Sequence, residues 1–280
     1  MVIIAECLKR GCEILKDFSE FPLLEAEILL ASILKKDRLY LNIHKKDSVS
    51  GDVLSKLEEM CIRRSGGEPI AYITGTKEFM SLEFEVNPNV LIPRPDTEIL
   101  VEYICEKYKN RKVRIVDMCT GSGAIACSLA HYLPDSFVCA TDISDDVIST
   151  AVQNSVRNSV ESNTSFFVAD ALKPLVPDSK FDVVVSNPPY IESGEIPLLM
   201  RDVRDFEPIS ALDGGTDGLI FYTKIVDNID SCLKKGGELV FEIGFNQGDS
   251  VSEIMKEKFT DITVHKDFAG NDRMVCGQLA

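Results

Sequence analysis

The sequence predicts an α/β protein: a mostly parallel seven-stranded sheet with an antiparallel hairpin at one edge, preceded by a small N-terminal helical bundle. Three observations carry this expectation. From Asp96 onward, short apolar runs alternate with helix-length segments, the pattern of a wound parallel sheet. The last two apolar runs lie too close together for a helix between them, so they pair antiparallel. Residues 1–75, by contrast, carry only helix-length apolar periodicity.

Within the bundle, residues 2–17 read as one helix. Pro22 opens a second, with Leu23, Ala26, Leu30 and Ile33 at 3-4-3 spacing. Proline suits a helix start because its missing N–H has no intrahelical partner there. Leu54, Leu57 and Cys61 mark a further helix that ends near Gly66-Gly67. Residues 76–96 read as a hairpin linking two domains. Glu78 to Val86 alternates as a half-buried strand, Asn87-Pro88-Asn89 supplies the turn, and Val90 to Ile92 returns. Residues 97–280 form the wound domain. Strands are expected near 113–118, 137–143, 165–170, 181–187, 238–244, 261–267 and 274–279. Helices are expected near 97–108, 123–133, 145–159, 217–235 and 247–259. Asp96 or Thr97 stands where a cap for the first of these helices belongs.

The 280 residues suffice for one large or two unequal domains. No run approaches the ~20 apolar residues that span a bilayer. The start, Met1 to Glu6, turns acidic too soon for a signal peptide, so a cytoplasmic protein is expected. Nine cysteines without a Cys-x-x-Cys pair fit neither a disulfide scaffold nor a zinc site. His44, His131 and His265 are scattered and form no metal cluster. The net charge of −15 is uneven: residues 81–280 carry 18 Lys/Arg against 32 Asp/Glu. That balance argues against direct nucleic-acid binding, which depends on cations neutralising phosphates.

The chemistry-bearing residues sit where strands end. Phe181 to Ser186 is an apolar run stopped by Asn187-Pro188-Pro189-Tyr190. Proline cannot donate to a ladder, so the strand ends there. The rigid turn can hold two acceptors, the Asn187 side-chain oxygen and the Pro188 carbonyl, against one planar NH2 group, with Tyr190 as a wall. A plain strand-terminating turn would use the same residues. Upstream, Val113 to Asp117 runs into Met118-Cys119-Thr120-Gly121-Ser122-Gly123 and then an apolar helix start. Gly121 and Gly123 permit positive φ and close approach of a ligand. No Gly-Lys-Ser/Thr follows, so a nucleotide-phosphate loop is not indicated. Phe137 to Asp142 is a second strand ending in an acid, at the distance where a carboxylate takes ribose hydroxyls; Asp142 could also cap the helix starting near Ser144. Ser165 to Asp170 is a third, and Asp170 either accepts from an adenine amine or is a solvated turn residue.

Together these residues resemble class I S-adenosylmethionine-dependent methyltransferases, which have a Rossmann-like fold. Within that class the chain is similar to the peptide chain release factor N5-glutamine methyltransferases (the HemK/PrmC family). The resemblance spans nearly the whole chain, through Gly67 to Gly75, Leu91 to Glu98, the glycine turn, Asn187 to Tyr190, Val203 to Pro208 with Ala211-Leu212, Glu242 to Gly244, and Gly270 to Arg273. It implies S-adenosyl-L-methionine as cofactor, held by Asp117, Cys119, Thr120, Gly121, Ser122, Gly123, Asp142, Asp170, Ala171 and Asn187. It implies catalysis by Asn187, Pro188, Pro189 and Tyr190, on the glutamine of the Gly-Gly-Gln motif in class I release factors, by a monomer. It also places Leu91 to Glu98 beside the active site. Two positions depart from the pattern. Cys119 replaces the usual first glycine, so its backbone is expected outside the left-handed region. Ala171 replaces an aromatic that packs on adenine in some relatives, with Leu172 or a neighbour as the substitute. The alternative substrate is an exocyclic adenine amine of DNA or RNA, flipped out to be reached. A non-catalytic scaffold that binds a partner through its helices is the third reading.

Overall fold

The computed structural model describes residues 2–171, 173, 175 and 180–280; Leu172 lies outside them. The chain divides into two compact units, residues 1–76 with 200–206, and residues 77–199 with 207–280.

The first unit contains β1 (Val2–Ile3), α1 (Ile4–Leu15), α2 (Pro22–Leu34), α3 (Arg38–Ile43), β2 (Ser48–Val49), α4 (Gly51–Ser65) and α5 (Ile70–Thr74). The expected first helix therefore starts two residues late, because Val2–Ile3 pairs antiparallel with Ser48–Val49. The short α3 and α5 were not foreseen; neither is long enough for periodicity to declare it. Pro22 takes a first-turn position in α2, and Leu29, Leu30, Leu41, Leu57 and Cys61 close one apolar core.

β3 (Thr76–Phe79), all but its first residue in the second unit, and β4 (Leu82–Glu85) form their own two-stranded sheet. The expected turn at Asn87–Asn89 is not the hairpin turn, and Val90–Ile92 is not a strand. The chain reverses at Met80-Ser81, whose φ angles are 49° and 57°. Two-residue hairpin loops favour that conformation but usually recruit Asn or Gly for it. Here tertiary bonds impose it: Met80 N donates to Glu98 Oε1 at 2.7 Å, and the Tyr132 hydroxyl donates to Met80 O at 2.8 Å.

The sheet follows, through α6 (Glu98–Lys107), β5 (Arg114–Met118), α7 (Ala124–Tyr132), β6 (Phe137–Asp142), α8 (Asp145–Arg157), β7 (Thr164–Val168) and β8 (Phe181–Ser186). After α9 (Arg201–Phe206), which belongs to the first unit, come α10 (Ile220–Asn228), β9 (Leu233–Glu242), α11 (Gly248–Met255), β10 (Phe259–Lys266) and β11 (Asp272–Leu279). The strand order is β10-β11-β9-β8-β5-β6-β7, with β9, β8, β5, β6 and β7 parallel and β11 antiparallel to both its neighbours. Alternate residues feed opposite faces: Val183 and Val185 join one core, Val184 the other. The helix expected over 217–235 is cut short. Phe181 N donates to Cys232 O at 2.7 Å and Phe181 pairs with Leu233, so β8 captures the chain as a strand from Leu233.

Candidate active site

From β5 the chain moves to β6 on one side and later returns to β8 on the other. That reversal opens a crevice at the carboxyl ends of the strands, the usual ligand position in such sheets. A cavity of about 310 Å3 occupies it. Its walls include Cys119, Thr120, Gly121 and Ser122 after β5, Asp142 at the end of β6, Asp170 and Ala171 after β7, and Asn187 and Pro189 after β8. Asp117, Gly123, Pro188 and Tyr190 are not among the lining residues.

The loop after β5 is held from both sides. Ser186 Oγ donates to Met118 O at 2.6 Å and Thr120 N to Thr141 O at 2.9 Å. Between these anchors Cys119 has φ of 60°, contrary to the expectation of a non-left-handed backbone there. The fixed flanks leave the cysteine no other path. Burial first, and then the charge of Asp142, push its thiol well above the ordinary range, so it is a poor nucleophile. A left-handed L-residue costs about 1–2 kcal/mol, partly offset in glycine by a more flexible unfolded chain. Cys119→Gly is therefore expected to raise the unfolding free energy by about 0.5–1 kcal/mol. Urea denaturation checks this, and a loss of stability contradicts the strain.

Asp117 sits beneath the turn and is fully buried. Its Oδ2 accepts from Thr120 Oγ1 at 2.6 Å, while Oδ1 has no partner among the described residues. Burial pushes its carboxyl up to about 7, opposed by the Thr120 hydroxyl and the Ala126 amide. It braces the loop from below the cavity. Gly123 begins α7 with φ of 79°, and a Cβ there would meet Ala151 Cβ at 3.0 Å, so only glycine fits.

Asp142 joins two strand ends. Its Oδ2 accepts from Gly121 N at 3.0 Å and its Oδ1 from Ile143 N at 2.8 Å. Burial raises its pKa, and the Gly121, Ile143 and Ser144 amides oppose the rise. The amides it meets, of Gly121, Ile143 and Ser144, all precede the first residue of α8, so Asp142 does not cap that helix; its carboxylate lines the cavity. Asp170 lies two residues beyond β7 rather than at its last position; the bond from Ala169 N to Asp142 O at 2.8 Å is the last of the β6–β7 ladder. With Ala171 small, Ile143 and Val147 supply nearby apolar wall.

Asn187 presents a carboxamide whose Nδ2 donates to Thr97 Oγ1 at 3.3 Å. Thr97 precedes α6 without making a side-chain cap bond; it lines the cavity instead. The segment before it is anchored by buried Glu207, which pairs with Arg94 and accepts from Ile92 N at 3.3 Å. Behind the Asn187 turn, the Tyr190 hydroxyl reaches Glu242 Oε1 at 3.5 Å, and Gln247 Nε2 donates to Tyr190 O at 3.0 Å. Glu242 is buried, and its Oε2 has no partner among the described residues. Sequence reading missed the part played by Asp213-Gly214-Gly215. A Cβ on Gly214 would lie 2.7 Å from Tyr190 Cα and 2.9 Å from Pro189 O, so this glycine lets two backbones touch. Its only signal was a glycine pair after an acid. Phe221, also in the wall, gave none.

This sheet order, with a nucleoside-sized crevice over the reversal between β5 and β8, defines a class I methyltransferase fold. A solved methyltransferase from Pyrococcus furiosus shares it with a TM-score of 0.53, over 80% of this chain and 98% of that one, at 18% identity. Residues 6–75 match the family described as PrmC N-terminal domain, and residues 95–201 the family described as Methyltransferase small domain. The release factor glutamine methyltransferase of Clostridium acetobutylicum is 43% identical over 97% of each chain. That of Vibrio cholerae is 39% identical over 99% of this chain and 97% of its own. The chain belongs to the release factor glutamine methyltransferase family.

Proposed function

We propose that this protein transfers a methyl group from S-adenosyl-L-methionine to the side-chain amide nitrogen of the glutamine in the Gly-Gly-Gln motif of class I release factors. The observation that carries the substrate is the full-length likeness to proteins named release factor glutamine methyltransferase. The site supports the chemistry. Asn187 gives its NH2 to Thr97 and keeps Oδ1 as an acceptor at the cavity it lines. Asp142, Thr120, Gly121 and Asp170 fit the nucleoside and amino-acid ends of the cofactor, offering carboxylates, a hydroxyl and a turn with open space beside Gly121.

S-Adenosylmethionine supplies a methyl group already activated on a sulfonium. An amide nitrogen is a weak nucleophile, so alignment and charge placement matter more than a strong base. Asn187 Oδ1 and the Pro188 carbonyl engage the two N–H bonds of the substrate amide and aim its nitrogen. The new N–C bond forms as the S–C bond breaks, and one N–H proton then leaves to solvent. Tyr190, tied to Glu242 and Gln247, keeps the turn rigid.

In this reading residues 1–75 recognise the whole factor, and the protein works in the cytoplasm as a monomer without membrane or nucleic-acid contact. Among the described residues no helix is long and apolar enough to cross a membrane. Phe21, Leu39, Ile43 and Ile62 are exposed apolar side chains of the bundle. Labelled methyl is expected on the motif glutamine of a purified factor, and not on DNA or RNA. Incorporation into adenine instead defeats the substrate assignment. Serine at one or more of those four positions should raise KM for whole factor and leave a short glutamine peptide unaffected. Unchanged KM in all four removes the recognition role.

A further inference from the structure

Gln247 lies between β9 and α11, outside the walls of the cavity. It takes the N-cap place of α11, yet its side chain makes no cap bond there. The residue is buried, and its carboxamide serves three loop ends instead. Gln247 Oε1 accepts from Gly244 N at 2.9 Å, with the Tyr222 hydroxyl 3.4 Å away. Gln247 Nε2 donates to Tyr190 O at 3.0 Å and to Gly218 O at 3.4 Å. A backbone N–H only donates and a carbonyl only accepts, so these partners fix which way the carboxamide faces. Two glycines leave it room. A Cβ on Gly218 would lie 2.7 Å from Gln247 Nε2 and 2.4 Å from Tyr190 O, and one on Gly244 would lie 3.0 Å from Gln247 Oε1. The glutamine's own backbone is tied on both sides: Gln247 N donates to Gly244 O at 2.9 Å, and Val251 N to Gln247 O at 2.9 Å.

We propose that Gln247 is a positioning residue for methyl transfer, which sets turnover and leaves cofactor binding alone. The inference rests on the roles given above to Asn187 and the Pro188 carbonyl. Tyr190 closes a turn stiffened by two prolines, so fixing its carbonyl fixes where those two acceptors stand. Gly218 lies in the segment between Asp213 and Phe221, both of which line the cavity. One carboxamide therefore sets the reacting turn and this second wall against each other. Backbone bonds continue the join: Ile191 N donates to Leu212 O at 3.0 Å, and Gly214 N to Ile191 O at 2.8 Å. The partners of the carboxamide do not include Asp142 or the loop after β5, so the cofactor end does not depend on it.

Gln247→Met keeps the length of the side chain but leaves Tyr190 O, Gly218 O and Gly244 N without it. If Gln247 only fills space, the folded variant transfers at the wild-type rate. If it positions the turn, single-turnover transfer with both substrates saturating should be about ten- to a hundredfold slower, the loss that follows when reacting groups are misplaced by up to about 1 Å. Cofactor affinity by calorimetry should stay near wild type. The loss should be equal on whole factor and on a short glutamine peptide, because the turn itself has moved. Gly218→Ala keeps the glutamine and drives a methyl group against its amide, so it should show the same split. A further readout needs neither transfer nor a variant. The Gln247 side-chain NH2, followed by 15N NMR, should exchange slowly with solvent in wild type, with or without cofactor. If wild type methylates no factor glutamine, the proposed function fails, while the exchange measurement still decides whether the carboxamide is engaged. Fast exchange, or a wild-type transfer rate in folded Gln247→Met or Gly218→Ala, overturns the inference. So does a parallel loss of cofactor affinity and transfer, since the residue would then hold the whole crevice and not its acceptor end.

Discussion

Asp142→Ala is expected to weaken S-adenosylmethionine binding roughly ten- to a hundredfold, since each hydrogen bond to a charged acceptor is worth about 1.5–3 kcal/mol. Two losses add here. The ribose hydroxyls lose a carboxylate at the end of β6. The Gly121 amide loses the acceptor, 3.0 Å away, that holds the glycine turn in place. Asp142→Asn separates them. It keeps an oxygen for one amide donor but loses the charge, so the turn should survive better than the affinity. Because burial already raises the Asp142 pKa, cofactor affinity should fall as pH drops through that raised value, where the carboxylate becomes protonated. Calorimetry measures the affinity, and thermal unfolding shows whether the variant is folded. Unchanged affinity in folded Asp142→Ala removes this residue from the cofactor site.

The core of the second unit was legible because its strands are buried on both faces. Val183-Val184-Val185 can only be a central strand, β6 and β9 end on an acid, and β8 runs into Asn-Pro. The same marks located Asp142 and Asn187 in the crevice. What stayed hidden depends on contacts distant in sequence. The positive φ at Cys119 comes from Ser186 and Thr141 on neighbouring strands, not from the cysteine. The hairpin turn at Met80-Ser81 has no turn residue in it; Glu98 and Tyr132 impose it. Thr97 read equally well as a cap and as a site residue, and only the Asn187 amide across the crevice decides between them. Asp117 looked like a ligand because it ends a strand beside glycines, yet its partner is Thr120 beneath the turn. A strand-end acid marks the level of the crevice; it does not say which way the carboxyl faces.

Asn187→Ala should bind S-adenosylmethionine nearly as wild type does and transfer methyl groups about a hundredfold more slowly or worse, the usual loss when one placed polar group of a reacting site is removed. Asn187 lines the cavity, but the polar partners proposed for the cofactor lie elsewhere, on Asp142 and the loop after β5. Its contribution is to hold one N–H bond of the acceptor amide, so the loss belongs in turnover with substrate bound and not in cofactor affinity. Truncation also leaves the Thr97 oxygen without its 3.3 Å donor. The Asn187-Pro188-Pro189-Tyr190 backbone should keep its course, because Gln247 and the close approach of Gly214 hold it independently of that side chain. Asn187→Asp is a harder case. A carboxylate can still accept from the substrate, but it removes the NH2 that donates to Thr97 Oγ1. Part of the alignment is lost, so an intermediate rate is expected. Single-turnover assays with both substrates saturating read the chemical step directly. A wild-type rate in Asn187→Ala would mean that the Pro188 carbonyl and the cofactor's own position suffice to aim the amide, and the mechanism built on Asn187 would fall.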